Sequence, residues 1–404
     1  MNKFKFLLGL FVYKITPSRK KNKIVFTSFD GHYSDNTKAI SEKFHESHPE
    51  YELVWLLKPE YFKNAPGYVK KVDINSLKSF RERGAASAQV DNVYGFRAIF
   101  KNSKNPIKAI KRRFIVFMTY KRKQPVFATM HGTSVKKIGR DQIGNTIYDF
   151  SCKNTFLLLG NKFTADILRH VTFGRVPTIA IGAPRNDILF CKSSVGKSAI
   201  GVDENKKIVL YAPTFRNDGK DVDNKNTDRS GLNQLEELKV DELFAALRRR
   251  FGGEWVMICR FHYHIAKNID WEKLNFEYGG KIINGNRLDD MADYLPLTDV
   301  LISDYSSCMH DFALTEKPCF IYAPDIVNYG TKERGFYIPL EDLPYPLAIN
   351  SRQLIDNILK FDDKRYERNV DDFMKKIGSE DDGKASERVV DFIIKKINNG
   401  NDRL

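Results

Sequence analysis

Short apolar runs that each stop at a polar loop recur along this chain, with stretches of helical apolar spacing between them. That alternation limits the fold more than any other feature. Lys23–Ser28 (KIVFTS), Tyr51–Leu57 (YELVWLL), Ala88–Tyr94, Val126–Met130, Thr155–Gly160 (TFLLLG) and Thr178–Gly182 (TIAIG) read as strands. Runs this short and apolar suit strands buried on both faces of a parallel sheet. Between the first two, Asp35–His45 carries Ala39, Ile40 and Phe44 at helical spacing. The second half repeats the plan. Lys207–Ala212, Trp255–Arg260, Asp299–Ser303 and Cys319–Ala323 read as strands, while Glu242–Phe251, Ser306–Leu314 and Ser386–Ile397 read as helices. Strands joined through helices imply right-handed crossovers and an α/β fold.

A chain of 404 residues exceeds one ordinary core, so two halves of this kind predict two Rossmann-like domains with parallel sheets facing across a cleft. The expected division is a segment 1–20, a domain 21–175, a second domain 176–385 and a closing helix 386–404. The polar loop Asn217–Gly231 reads as a disordered insertion. Five cysteines form no CxxC pair and read as free thiols of a reducing compartment.

The net charge of +15 is concentrated. Between Asp91 and Asp141 there is no acidic residue, and thirteen basic ones, among them Lys108, Lys111, Arg112, Arg113, Lys121, Arg122 and Lys123. Ile107, Ile110, Phe114, Ile115, Phe117, Met118 and Tyr120 are interleaved with them. A basic amphipathic stretch suits an anionic lipid surface or nucleic acid. The N-terminus favours the lipid. Lys3 and Lys5 precede the apolar run Phe6–Tyr13, followed by Lys14, Arg19, Lys20, Lys21 and Lys23. That run is too short to span a bilayer, which takes about 20 residues, so the expectation is an amphipathic foot on a peripheral protein, with an ordinary packed helix as the alternative.

Ligands of open parallel sheets sit beyond the carboxyl ends of the strands. There the sequence places His131-Gly132-Thr133, a histidine on a tight loop that suits a general base or a packing role. Arg260, His262 and His264 alternate on one side of an extended segment, suited to a phosphate, with a two-histidine zinc site as the rival reading. Asp304-Tyr305-Ser306-Ser307 leads into a helix, where hydroxyls and free N–H groups hold a phosphate or merely cap. Arg185, after Pro184, and Thr214 with Arg216, after Pro213, follow two other strands. Neither GxxxxGK[ST] nor a strand-following GxGxxG is present, which speaks against a P-loop ATPase and a dinucleotide dehydrogenase.

These segments taken in order resemble the CDP-glycerol glycerophosphotransferase family of teichoic acid synthesis. The likeness runs from Gly31-His32-Tyr33-Ser34-Asp35-Asn36-Thr37-Lys38 through His131-Gly132-Thr133 with Lys136-Lys137-Ile138-Gly139, Gly182–Asp187 and Tyr211–Thr214. It continues through Arg260–Tyr263, Ser303–Ser307 with Asp311-Phe312-Ala313, and Arg334–Tyr337, to Asp382–Ser386. Ser134 stands where family members often have proline.

The resemblance implies a metal-independent GT-B fold with an acceptor-side first domain and a second domain binding the CDP-polyol. It implies catalytic roles for His131 and His262, donor-phosphate contacts from Arg260, Ser306, Ser307, Thr214 and Arg216, and support from Gly132, Thr133, Asp304, Arg185 and Asp311. His264 and His310 have no counterpart in it. It implies no cofactor, with CDP-glycerol or CDP-ribitol as donor and an undecaprenyl-diphosphate-linked acceptor. The implied site of action is the cytoplasmic face of the cell membrane, reached through the basic stretch, with no nucleic acid as partner. The competing readings are a nucleotide-sugar glycosyltransferase on the same fold and a nucleic-acid-binding protein built on the basic window.

Overall fold

The computed structural model describes residues 3–18, 22–92, 100–101, 110, 114–115, 117–121, 124–133, 135–141, 148–149, 154–191, 196–214, 235–261, 263–326 and 335–398. The expected loop 217–231 lies outside them. The chain forms two compact units: residues 1–133, 138–190 and 377–404 in the first, and 134–137 with 191–376 in the second.

The first unit is built on β1 (Lys23–Thr27), β2 (Glu52–Leu57), β3 (Lys70–Asp73), β4 (Ala88–Asp91), β6 (Val126–Ala128), β8 (Thr155–Leu159) and β9 (Thr178–Ala180). The order is β3-β2-β1-β4-β6-β8-β9, every neighbour parallel. A separate antiparallel pair joins β5 (Phe100–Lys101) to β7 (Tyr148–Asp149). Chain order reverses between β1 and β4, the switch point at which doubly wound sheets bind ligands. On one face, Ile24, Phe26, Trp55, Phe127 and Leu158 pack with Ile40 and Phe44 of the helix α2 (Asp35–Ser47) and with Val389, Val390 and Ile393 of the closing helix Ala385–Asn398.

That last contact corrects the expected domain boundaries. The closing helix is part of the first core, and β9 pairs with β8, so the first unit extends to residue 190 and takes back 377–404. Apolar periodicity marks a helix but not the sheet it covers, so the return is not legible in the sequence.

The second sheet has the strands β10 (Lys207–Ala212), β11 (Trp255–Cys259), β12 (Ile282–Asn284), β13 (Val300–Ser303), β14 (Cys319–Tyr322) and β15 (Leu347–Ala348), in the order β12-β11-β10-β13-β14-β15. It is parallel throughout and reverses between β10 and β13.

Helix α1 (Lys3–Ile15) packs on α3 (Leu77–Ala85). Leu10 and Tyr13 are buried with Phe80, Ile115 and Met118. The approach is close: a Cβ on Gly9 would lie 2.5 Å from the Phe80 ring, and one on Gly84 2.9 Å from the Tyr13 carbonyl oxygen. The packed-helix reading of this segment is therefore correct for one face. The other presents Phe4, Leu7, Leu8, Phe11 and Ile15 to solvent, and Ile110, Phe114 and Phe117 are exposed as well. Among the described residues no helix is long and apolar enough to cross a membrane.

Candidate active site

In the first unit the ends of β1, β4 and β6 converge on one histidine. After β6 the chain turns through two positive-φ residues, Met130 (54°) and Gly132 (45°), with His131 between them. A bulky residue at positive φ is strained and persists only when its surroundings hold it. Here Asn36, at the start of α2, donates from Nδ2 to the Met130 carbonyl at 3.1 Å. Thr133 accepts from Asn161 Nδ2 at 2.6 Å and secures the other side. His131 is 40% exposed and edge-on to Phe29, with ring centres 5.3 Å apart.

Its partner is Asp35, the first residue of α2 and itself at φ 62°. Asp35 Oδ2 lies 3.2 Å from His131 Nδ1. Asp35 Oδ1 accepts from Arg185 Nη1 at 2.9 Å, and the Arg185 side chain is 10% exposed. Burial pushes the Asp35 carboxyl up, but the Arg185 guanidinium and the hydrogen bonds from His131 and Asn92 more than offset it, so the group stays well below the usual carboxylate range. An ionised carboxylate only accepts. A neutral His131 facing it carries its hydrogen on Nδ1, and no described residue hydrogen-bonds Nε2. Asn92, just past β4, brings Nδ2 to 3.4 Å from the same Nδ1 but gives its amide hydrogen bond to the Asp35 carboxylate, and it is oriented by Thr129, whose hydroxyl donates to Asn92 Oδ1 at 3.0 Å.

Arg185 is presented by the 3-10 helix Pro184–Phe190, whose start the returning C-terminal segment fastens. Asp187 accepts from the backbone N–H of Ala385 (2.9 Å) and Ser386 (2.7 Å), capping the closing helix, and Asp381 accepts from Ala183 N–H at 2.7 Å. Gly182, at φ 90°, has room for no side chain: a Cβ would meet Ala385 at 2.7 Å. The sequence segments around 182–187 and 382–386 are one structural joint.

In the second unit, the switch point between β10 and β13 is bridged by Asp304. Its carboxylate accepts from Thr214 N–H at 2.9 and 3.1 Å, tying the loop after β10 to the loop after β13. Tyr305 is fully buried and donates to Asp325 at 2.9 Å. Ser306 and Ser307 follow, half-buried. The helix there is shorter than expected, Cys308–Phe312, with a 3-10 turn Ala313–Thr315 after it. Ser307 stands at the cap position without a capping bond, and Ser306 Oγ accepts from Cys308 N–H only at 3.4 Å.

Arg260 differs most from expectation. Its guanidinium donates to the carbonyls of Gly285 (2.6 Å), Leu288 (2.9 Å) and Asp289 (2.8 Å) and lies over the Tyr294 ring. Three of five donors are committed, so Arg260 is first a clamp on loop 285–289. His310 is a core residue: buried, 3.0 Å from the Tyr345 hydroxyl and stacked on Phe373. Burial and the Lys136 charge lower its pKa to about 3, so it is neutral. Asp311 is buried on the same short helix. His262 and Arg216 lie outside the described residues, as do Lys108, Lys111, Arg112, Arg113, Arg122 and Lys123 of the basic stretch. Among the described residues no group of three or more His, Cys, Asp or Glu is placed to hold a metal.

Two residues of the site are not among those the sequence singles out: Asp35, which lies within the segment Gly31–Lys38, and Asn92. Both sit one residue or more past a strand at the switch point, which is the signal that finds them. Lys121, expected at a membrane surface, is anchored by two backbone acceptors: its ammonium donates to the carbonyls of Thr16, at the end of α1, and Gly84.

Residues 10–395 match the model of the family described as CDP-Glycerol:Poly(glycerophosphate) glycerophosphotransferase. The chain belongs to this family. Among its relatives, a teichoic acid glycerol-phosphate transferase of Staphylococcus aureus is 30% identical over 93% of each chain. A teichoic acid poly(glycerol phosphate) polymerase of Staphylococcus epidermidis is 28% identical over 94% of this chain and 51% of its own, so the chain spans about half the length of that relative. A solved structure of the wall teichoic acid polymerase TagF, a His-to-Asn variant soaked with CDPG, superposes with a TM-score of 0.75 at 26% identity over 98% of this chain and 96% of that one. The family member described here thus has a GT-B-like α/β fold with two parallel sheets.

Proposed function

We propose that this protein transfers glycerol phosphate from CDP-glycerol to a hydroxyl of a lipid-linked, teichoic-acid-like acceptor and releases CMP. The observation that carries the proposal is the Asp35–His131 pair, with Nδ1 facing an ionised carboxylate and Nε2 bonded to no described residue, on a chain whose family is described by this reaction. His131 Nε2 takes the proton of the acceptor hydroxyl as its oxygen attacks the β-phosphorus of the donor. A new O–P bond forms, the bond from that phosphorus to the bridging oxygen breaks, and the electron pair leaves with CMP. Asp35 fixes the tautomer and offsets the imidazolium charge, and Arg185 keeps Asp35 ionised.

The second unit takes the donor. The serines 306 and 307 and the N–H groups around them hold its phosphates, Asp304 joins the two loops, and Arg260 acts through loop 285–289. His262 is assigned by resemblance, and Arg216 by its place in the sequence after the strand Lys207–Ala212. Glycerol is favoured over ribitol because the family description and the S. aureus transferase, matched along almost its whole length, both name glycerol.

The protein acts as a peripheral enzyme at the cytoplasmic face of the membrane, its acceptor carried on undecaprenyl diphosphate. The exposed apolar stripe of α1, in a chain of net charge +15, supports this. The test of the chemistry is His131→Ala. Turnover should fall roughly 10²–10⁴-fold while calorimetric binding of CDP-glycerol is retained. Near-normal turnover would remove His131 from the mechanism.

A further inference from the structure

Where α1 ends, an open groove of about 430 Å³ is lined by Lys14, Ile15, Thr16, Pro17, Ser18, Tyr120, Lys121 and Gln124. Two ammonium groups meet there. Lys14 Nζ donates to the carbonyls of Phe117 (2.9 Å) and Tyr120 (3.0 Å), and Lys121 Nζ to those of Thr16 and Gly84. Each also lies over an aromatic ring, Phe117 at 4.4 Å and Tyr13 at 4.7 Å. An ammonium has three donors, so each lysine is held in place by two and keeps one. Neither has a carboxylate partner among the described residues. Burial, and then the charge of Lys14, lower the pKa of Lys121 to about 8. Two like charges held at one groove repel, and an anion seated between them would relieve that repulsion. Beside the groove are the exposed side chains of Ile15 and Phe117, continuous with the apolar stripe of Phe4, Leu7, Leu8 and Phe11.

We infer that this groove seats the phosphodiester headgroup of an anionic phospholipid, held between the ammonium groups of Lys14 and Lys121 while the neighbouring apolar side chains enter the acyl region. The inference rests on the membrane reading above and sharpens it from a diffuse basic surface to one built subsite. A lone phosphate ion would meet the same two charges, but nothing in it would use the apolar flank, so the lipid is the occupant proposed.

The test compares the full-length protein with Lys14→Gln/Lys121→Gln, the single Lys14→Gln, and Lys3→Gln/Lys5→Gln. The last removes the same charge from exposed positions of the same helix. Binding is measured by co-sedimentation with phosphatidylglycerol and phosphatidylcholine vesicles, with thermal melting to check the fold. Two lysines near an anionic surface contribute roughly 30-fold in affinity without any subsite, so the exposed pair should lose at most that and the groove pair clearly more. Should the double variant not fold, Lys14→Gln keeps both anchors of Lys121 and should lose more than the roughly fivefold of one surface lysine. Equal losses from the groove and exposed pairs would overturn the subsite and leave the diffuse surface standing. Binding of the unaltered protein to neutral vesicles as tightly as to anionic ones would overturn the membrane reading itself. Displacement from vesicles by inorganic phosphate beyond that by chloride at equal ionic strength would reassign the groove to free phosphate.

Discussion

Replacing Asp35 by Asn keeps the shape of the side chain and removes its charge, which isolates what the carboxylate does for His131. Oδ2 lies 3.2 Å from Nδ1. Across that distance an imidazolium gains about 5 kcal/mol at an effective dielectric of about 20, and about 1.3 kcal/mol in water. The His131 side chain is 40% exposed, so solvent screening brings the figure to about 1.5–3 kcal/mol. As a barrier increase, that is a rate loss of about 10- to 150-fold. A second effect acts in the same direction. The new amide can donate to Nδ1, which moves the imidazole hydrogen to Nε2 and abolishes the base in that fraction of molecules. The expected outcome is a loss in kcat at or above the upper end, about 10²-fold, with CDP-glycerol affinity unchanged because Asp35 lies in the first unit. The assay is CMP release at saturating donor, with calorimetric donor binding alongside. The exchange also leaves Arg185 without its carboxylate, so melting must show an intact fold. Turnover equal to the unaltered protein in a folded variant would refute the tautomer argument.

Two further outcomes follow from the second unit. Arg260→Ala strands three carbonyls that now accept from a charged donor, so stability should fall by about 3 kcal/mol or more, with donor affinity falling alongside; a loss of affinity at unchanged melting temperature would mean that the guanidinium contacts the donor directly. His310 is neutral in the fold, with a pKa of about 3 against 6.5 ordinarily. An unfolded chain takes up a proton there below pH 6.5 that the folded one refuses, so this contribution is full above 6.5 and is lost as the pH falls toward 3. Chemical denaturation across that range should show a steeper acid loss for the unaltered protein than for His310→Gln, and parallel curves would contradict the assignment.

The interior strands were legible because each is a continuous apolar run with a loop behind it. The strands Lys70–Asp73, Ile282–Asn284 and Leu347–Ala348 were not: they are short, all three lie at sheet edges, and KKVD has no apolar run to see. In the site, His131 and Asp304 could be found because each follows a strong strand. The Asp35–Arg185 ion pair could not, since the partners are 150 residues apart and the pairing depends on how the C-terminal segment fastens the start of the 3-10 helix Pro184–Phe190. Arg260 shows the reverse limit. A cation after a strand reads the same whether it faces a phosphate or three carbonyls, and only the path of loop 285–289 decides between them.

The central claim is the identity of the group transferred, and product mass tests it most directly. The purified protein would be given CDP-glycerol, CDP-ribitol or a UDP-sugar together with a lipid-linked acceptor ending in glycerol phosphate. The account predicts acceptor that grows by whole glycerol phosphate units with CDP-glycerol alone, one CMP released per unit added, and no growth with His131→Ala. Growth from CDP-ribitol or from a UDP-sugar in place of CDP-glycerol, or CMP release without any gain in acceptor mass, would contradict it.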